Sequence, residues 1–150
     1  MARAEQVITE GAAPFLEEGE QVLAALVVAP RGNTAAVAGG LGLGEAKREE
    51  NVAAGGQAGF RLEAPMALAL TDRRLLSLAY SNPVGMGVGG KVKDLLDAVP
   101  IEQVDAIEVK RLLAGYRITL TIRGVAMKLE AGAGAKAKPL AEAFAGLRNG

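Results

Sequence analysis

The sequence predicts a mainly β fold with helical ends. Seven mostly antiparallel strands form a sheet or partly open barrel, capped by one C-terminal amphipathic helix and preceded by a short N-terminal helix. Three observations carry this expectation. Apolar and polar residues alternate with period two through residues 66–80 and again through 116–129. Short polar knots, Thr71-Asp72-Arg73-Arg74 and Arg123-Gly124, punctuate those runs as turns do. The last stretch changes to helical spacing, with Leu140, Ala141, Phe144 and Leu147 on one stripe.

At 150 residues the chain is expected to be one domain with a core that needs no covalent staples. Its apolar mass is mostly Ala, Leu and Val, with three Phe, two Tyr and no Trp. Lys and Arg total 17 and Asp and Glu 17, so no overall field draws the protein to nucleic acid, and the scarcity of stacking aromatics argues the same way. The absence of Cys removes disulfides and thiolate chemistry; the absence of His removes imidazole bases and His-ligated metals. An enzyme would need a Ser–Lys pair or paired carboxylates. The serines are Ser77, inside a strand, and Ser81, at a loop start, and neither is marked as activated. A non-enzyme without cofactor or metal is therefore expected. The first twenty residues carry acids where an export signal needs an apolar core, and the longest apolar run, Val22 to Ala29, is far below the roughly 20 residues that span a bilayer. We expect a cytoplasmic protein with no integral membrane segment.

Taken in order, residues 2–10 suit a short helix that ends near Gly11 and Pro14. The first strand is expected over 20–29. It is apolar on both faces, so it is covered on both sides or joins a self-association surface. Residues 30–64 read as a Gly/Ala-rich insertion, with 8 Gly and 7 Ala between Pro30 and Phe60 and a charged helical turn near 45–54. The alternative is a loop that orders on a partner. The remaining strands occupy 66–131. In the first hairpin, setting Leu70 opposite Leu76 and Leu68 opposite Leu78 requires a bulged three-residue turn at 72–74. Residues 81–94 form a second Gly-rich loop, and strands Leu95–Ile101 and Val104–Arg111 are broken at Pro100. In the last hairpin a two-residue turn pairs Ile122 with Val125, Leu120 with Met127 and Ile118 with Leu129. The same register sets Arg117 beside Glu130. A helix over 137–148 closes the chain, with Pro139 in its first turn.

Three segments carry a resemblance. Ala69-Leu70-Thr71-Asp72-Arg73-Arg74-Leu75-Leu76 is similar to an "apolar, Thr, Asp/Asn, basic, Arg, apolar" hairpin. Pro100-Ile101-Glu102-Gln103-Val104-Asp105-Ala106-Ile107 resembles a proline-led start of a strand, and the final pair of strands is followed by a helix. In these, residues 66–149 resemble the bacterial pleckstrin-homology-like domains, relatives of the PH and GRAM superfold. The resemblance implies a binding or assembly module, not an enzyme, with another protein or a second copy as partner. It brings no shared ligand motif. The 30–64 stretch departs from the short first hairpin of that family.

Two candidate sites follow. Gly85-Met86-Gly87-Val88-Gly89-Gly90-Lys91 satisfies GxxxxGK, but Val92 stands where a P-loop has its Ser or Thr, and the setting is antiparallel. What survives is an anion or lipid-headgroup site, with peripheral lipid contact, built from Gly87, Gly89, Gly90, Lys91 and Lys93 together with Arg73 and Arg74. Against this, paired arginines at a hairpin tip are ordinarily solvated or bound to a nearby carboxylate. Asp94 and Asp97 lack the wider cluster of a cation site. The second candidate is a protein-contact surface at Leu112-Leu113, which nothing local would bury.

Overall fold

The structure is a computed structural model that describes residues 3–31, 43–81 and 90–149. Helix α1 (Arg3–Ala12) is followed by a 3-10 turn at Ala13–Phe15 and strand β1 (Val22–Pro30). Helix α2 (Leu43–Ala58) precedes β2 (Met66–Thr71), β3 (Arg74–Ser81) and β4 (Lys91–Pro100). A 3-10 turn at Ile101–Gln103 leads to β5 (Val104–Leu112), β6 (Gly115–Ile122), β7 (Val125–Ala131) and helix α3 (Ala137–Asn149).

The seven strands run antiparallel in the order β4-β3-β2-β1-β7-β6-β5. Seven antiparallel strands are the number expected, but β4 begins at Lys91, inside the stretch 81–94 expected as a loop, and ends at Pro100, with Ile101 in the 3-10 turn. β1 is the strand shared by two halves. It pairs with β2 from Val22 to Val28, but with β7 only through Ala29↔Glu130 and Pro30↔Leu129. Between the halves lies the main core, with Leu26, Met66, Leu68 and Leu70 facing Ile118, Leu120, Ile122 and Leu129, and with Leu140 and Phe144 of α3 closing it. Each fully buried Leu or Ile stabilises the fold by about 2 kcal/mol through water release.

A second cluster lies on the outer face of β1–β3. Ile8 and Ala12 of α1 cover Ala25, Ala67, Ala69, Leu76 and Leu78. β1 is therefore apolar on both faces because both are covered. The small residues of that face let a helix lie close: a Cβ on Gly11 would fall 2.6 Å from Val92 Cβ.

The β6–β7 hairpin has the expected register, including Ile122↔Val125, Leu120↔Met127, Ile118↔Leu129 and Arg117↔Glu130. Arg123 and Gly124 take φ of 51° and 79°, the twist that a two-residue hairpin turn requires.

The β2–β3 hairpin differs from expectation. Its register is Leu70↔Leu75, Ala69↔Leu76 and Leu68↔Ser77, joined by the two residues Asp72-Arg73 without a bulge. The alternation rule assumes one wet face, and here both faces are dry. Leu75 enters the main core while Leu76 and Leu78 enter the α1 cluster, each opposite an alanine. Ser77 is fully buried opposite Leu68 because its hydroxyl donates to the Arg61 carbonyl.

The 30–64 stretch also differs where it is described. In place of a short turn at 45–54 there is a 16-residue helix whose end is built into the core. Gly59 takes φ 76°, Phe60 N–H donates to the Gly55 carbonyl at 2.7 Å and Gly59 N–H to Gly56 at 3.2 Å, the two bonds of a Schellman cap. Phe60 and Leu62 then enter the main core. Asn51 fixes the helix to the sheet: its Oδ1 accepts from Lys128 N–H at 2.7 Å and its Nδ2 donates to the Lys47 carbonyl at 2.9 Å. A side-chain amide thus continues the β7 ladder beyond the end of β1. Replacing Asn51 with Ala leaves the Lys128 N–H without this partner, and chemical denaturation should show a loss of about 1–2 kcal/mol.

Candidate functional site

The paired arginines of the β2–β3 turn have separate fates. Glu20, whose side chain is wholly buried, accepts from Arg74 Nη2 at 2.7 Å, Arg74 Nε at 3.0 Å, Thr71 Oγ1 at 2.6 Å and the Glu17 N–H at 2.9 Å. Arg74 Nη2 also donates to the Phe15 carbonyl at 2.9 Å. The Thr71 hydroxyl accepts from the N–H groups of Arg73 and Arg74, which closes the turn without a positive φ. Arg74 is thus held inside the fold. Arg73 is about half exposed, 3.6 Å from an exposed Glu17 carboxylate, an ion pair worth little in water.

The lysines lie elsewhere. Lys91 and Lys93 are exposed on β4, an edge strand, and Lys91 pairs with Ser81 whereas Arg74 pairs with Pro100. The eight residues of β3 separate the two groups by about 23 Å. The structure does not bring Arg73 and Arg74 together with Lys91 and Lys93. Lys91 opens an antiparallel strand rather than a helix, which removes P-loop geometry. Gly90 has a steric role, since a Cβ there would overlap the Tyr80 hydroxyl. Gly87 and Gly89 lie outside the described residues. Among the described residues no group of three acidic side chains is arranged to hold a metal ion, and no helix is long and apolar enough to cross a membrane.

Leu112 and Leu113, by contrast, stand at a cleft. β5 runs to Leu112, and Leu113-Ala114 form a two-residue turn into Gly115. Leu113 is fully exposed, and Leu112 is half-buried. Behind them opens a cavity of about 740 Å³, walled by Val27 and Val28 of β1, Ala64-Pro65 ahead of β2, and Tyr116. Arg111 lies 5.5 Å from the centre of the Tyr116 ring, and its Nη1 donates to the Tyr116 hydroxyl at 3.2 Å, which fixes that wall. A smaller cavity of about 270 Å³ continues past Val27 and Gly132 to Ala25, Tyr80, Glu5 and Lys136. The lining is mostly apolar, with few polar groups.

Sequence reasoning missed the far wall of the cleft: Val27, Pro65 and Tyr116. One signal was present, a glycine directly before the aromatic strand. Gly115 has φ 145°, and a Cβ there would overlap the Ala131 carbonyl. Gly115→Ala should therefore push β6 from β7 at the cleft and cost about 2 kcal/mol, read as a fall in Tm of several degrees.

The Glu20 network generates a pH dependence. Its hydrogen bonds from Arg74, ahead of those from Thr71 and Glu17, outweigh burial and lower the Glu20 carboxyl from an ordinary 4.5 to about 2. A carboxyl with a lower pKa folded than unfolded stabilises the fold above pH 4.5 and loses that contribution as pH falls toward 2. The loss should reach about 2–3 kcal/mol. Glu20→Gln should cost about 3–5 kcal/mol at neutral pH, because Arg74 is left buried without its counter-charge. The same variant should flatten the acid limb, measured by urea unfolding from pH 7 to 2.

No protein-family model matches the chain, and no curated protein matches it. Among solved structures it is similar to a DUF1696 family protein with a pleckstrin-homology domain from Shewanella loihica PV-4. Identity is 13% over 93% of this chain and 91% of that one, with a TM-score of 0.45. At that level of likeness nothing about the site is carried across.

Proposed function

We propose that the chain is a non-catalytic PH-like module that acts through protein–protein contact, with the cleft beside Leu112-Leu113 as its contact surface. The observation that carries this reading is the exposure of Leu113 at the mouth of an apolar cleft of about 740 Å³. A leucine wholly in water beside an apolar wall costs free energy that a partner would recover. A second copy of the chain is the first partner to test, because a turn leucine and a hollow on one surface can exchange across a two-fold axis. The non-catalytic part is supported by a composition without imidazole or thiol and by the engagement of Ser77 with a backbone carbonyl. A cytoplasmic setting belongs to the same proposal. The anion-site alternative loses support where Arg74 is bound by Glu20 and β3 separates the arginines from the lysines.

Light scattering tests the self-associating form. The wild-type protein should show a mass above 15.3 kDa at high micromolar concentration, and Leu113→Asp should return it to the monomer mass. A wild-type protein that stays monomeric throughout would overturn self-association.

A further inference from the structure

β5 is a border strand of the sheet, and two hairpins agree on which of its backbone groups face outward. A two-residue turn is closed by a pair that exchanges both backbone hydrogen bonds. Leu113-Ala114 makes Leu112↔Gly115 such a pair, and Arg123-Gly124 makes Ile122↔Val125 another. Counting along β6 from either turn gives the same result: Arg117 and Thr119 bond to β5, and the residues between them bond to β7. On β5, Glu108 and Lys110 therefore bond to β6, while Ile107, Val109 and Arg111 direct their N–H and C=O groups away from the sheet. Among the described residues, no turn, loop or side chain bonds to those outward groups. Ile107 owes its burial to a side chain in the main core; Val109 is half-buried and Arg111 is exposed. The edge is closed at its start, where Arg148 Nη1 donates to the Val104 carbonyl at 3.2 Å, and the ladder becomes regular at Ala106. The open window is 106–112, and Val109 is its centre.

We propose that this window pairs antiparallel with β5 of a second copy about a two-fold axis at Val109, joining the two sheets into one. The inference rests on the reading that a second copy is the partner, and it places that contact on the strand leading to the cleft rather than in the cleft. Charge selects the register. A two-fold axis at Glu108 would set that carboxylate against its own copy, and an axis at Lys110 would set ammonium against ammonium. An axis at Val109 instead sets Glu108 opposite Lys110 of the other copy, on both sides of the axis, and Ala106 opposite the half-buried Leu112. Glu108 and Lys110 are exposed, and among the described residues neither is held by another side chain. Lys110 already stands beside Arg117 on β6, which favours a carboxylate on its free side. Charges on an edge strand ordinarily prevent pairing; here their order prevents the neighbouring registers and favours one. The contact is small, with about six backbone hydrogen bonds, so association should depend on concentration.

Charge reversal and cysteine pairing on the full chain test the register. At a concentration where the wild-type mass exceeds 15.3 kDa, Glu108→Lys should return the protein to the monomer mass, and Glu108→Lys combined with Lys110→Glu should recover association. The sequence has no cysteine, so single introduced thiols report alone. Residues 108 and 110 of opposite copies would form a pair that exchanges no hydrogen bonds, with Cα atoms about 4.5 Å apart, within disulfide reach. A mixture of Glu108→Cys and Lys110→Cys proteins should therefore cross-link under mild oxidation at least tenfold faster than either protein alone. Association that survives Glu108→Lys, a double variant that fails to recover it, or thiols that cross-link no faster in the mixture would each overturn edge pairing. Should Leu113→Asp still dissociate such a protein, self-association through the cleft stands without the edge. A wild-type chain that stays monomeric overturns both.

Discussion

The Glu20–Arg74 pair is the constraint on which the other contacts depend. Glu20 ends the turn before β1, and Arg74 begins β3; Phe15 closes the segment after α1. One guanidinium and one carboxylate therefore set three chain segments at once. The surrounding backbone agrees, since Gln21 N–H donates to Asp72 Oδ1, Asp72 N–H to the Gln21 carbonyl, and Ile101 N–H to the Arg73 carbonyl. A buried ion pair contributes less net stability than its Coulomb attraction suggests, because both charges leave water. Its value here is geometric, in that only one placement of α1, β1 and β3 satisfies every donor around it.

That placement gives the β1–β3 sheet two dry faces, and this explains why the sequence was legible in some places and misleading in others. Where one face is wet, as on β6 and β7, alternation determined register down to the partner of each residue. On β2 and β3 both faces are dry, and Ala67, Ala69, Leu76 and Leu78 carry no mark of the helix that covers them. The preference for leucine opposite leucine then pointed to a register one residue away from the true one. The deciding features were a threonine hydroxyl that closes the turn from within it and a serine hydroxyl that reaches Arg61, a segment outside the hairpin.

Helix α2 was hidden for a related reason. It docks with small residues and one asparagine, so its sequence lacks the apolar stripe that marked α3. Its clearest local sign is the Gly59-Phe60 pair, in which a glycine at positive φ is followed by a core aromatic. Of the candidate site, the exposed Leu112-Leu113 turn was legible because no neighbour in sequence could bury it. The wall it faces was not, since Val27 and Pro65 are brought there by the sheet order alone. The arginines were conspicuous as charges, and their placement shows that a conspicuous charge on a turn can be a structural fastener.

The two-pair seam between β1 and β7 has a mechanical consequence. A load that pulls the two halves apart along the strands meets the Ala29–Glu130 and Pro30–Leu129 pairing and the Arg31 N–H bond to the Lys128 carbonyl there, against six paired positions between β1 and β2. Resistance to shear at the seam therefore comes mainly from interlocked side chains of the core and from Asn51 acting as a peg between helix and strand. The backbone ladder is long within each half and shortest along this one line, so the seam depends on packing more than any other strand boundary.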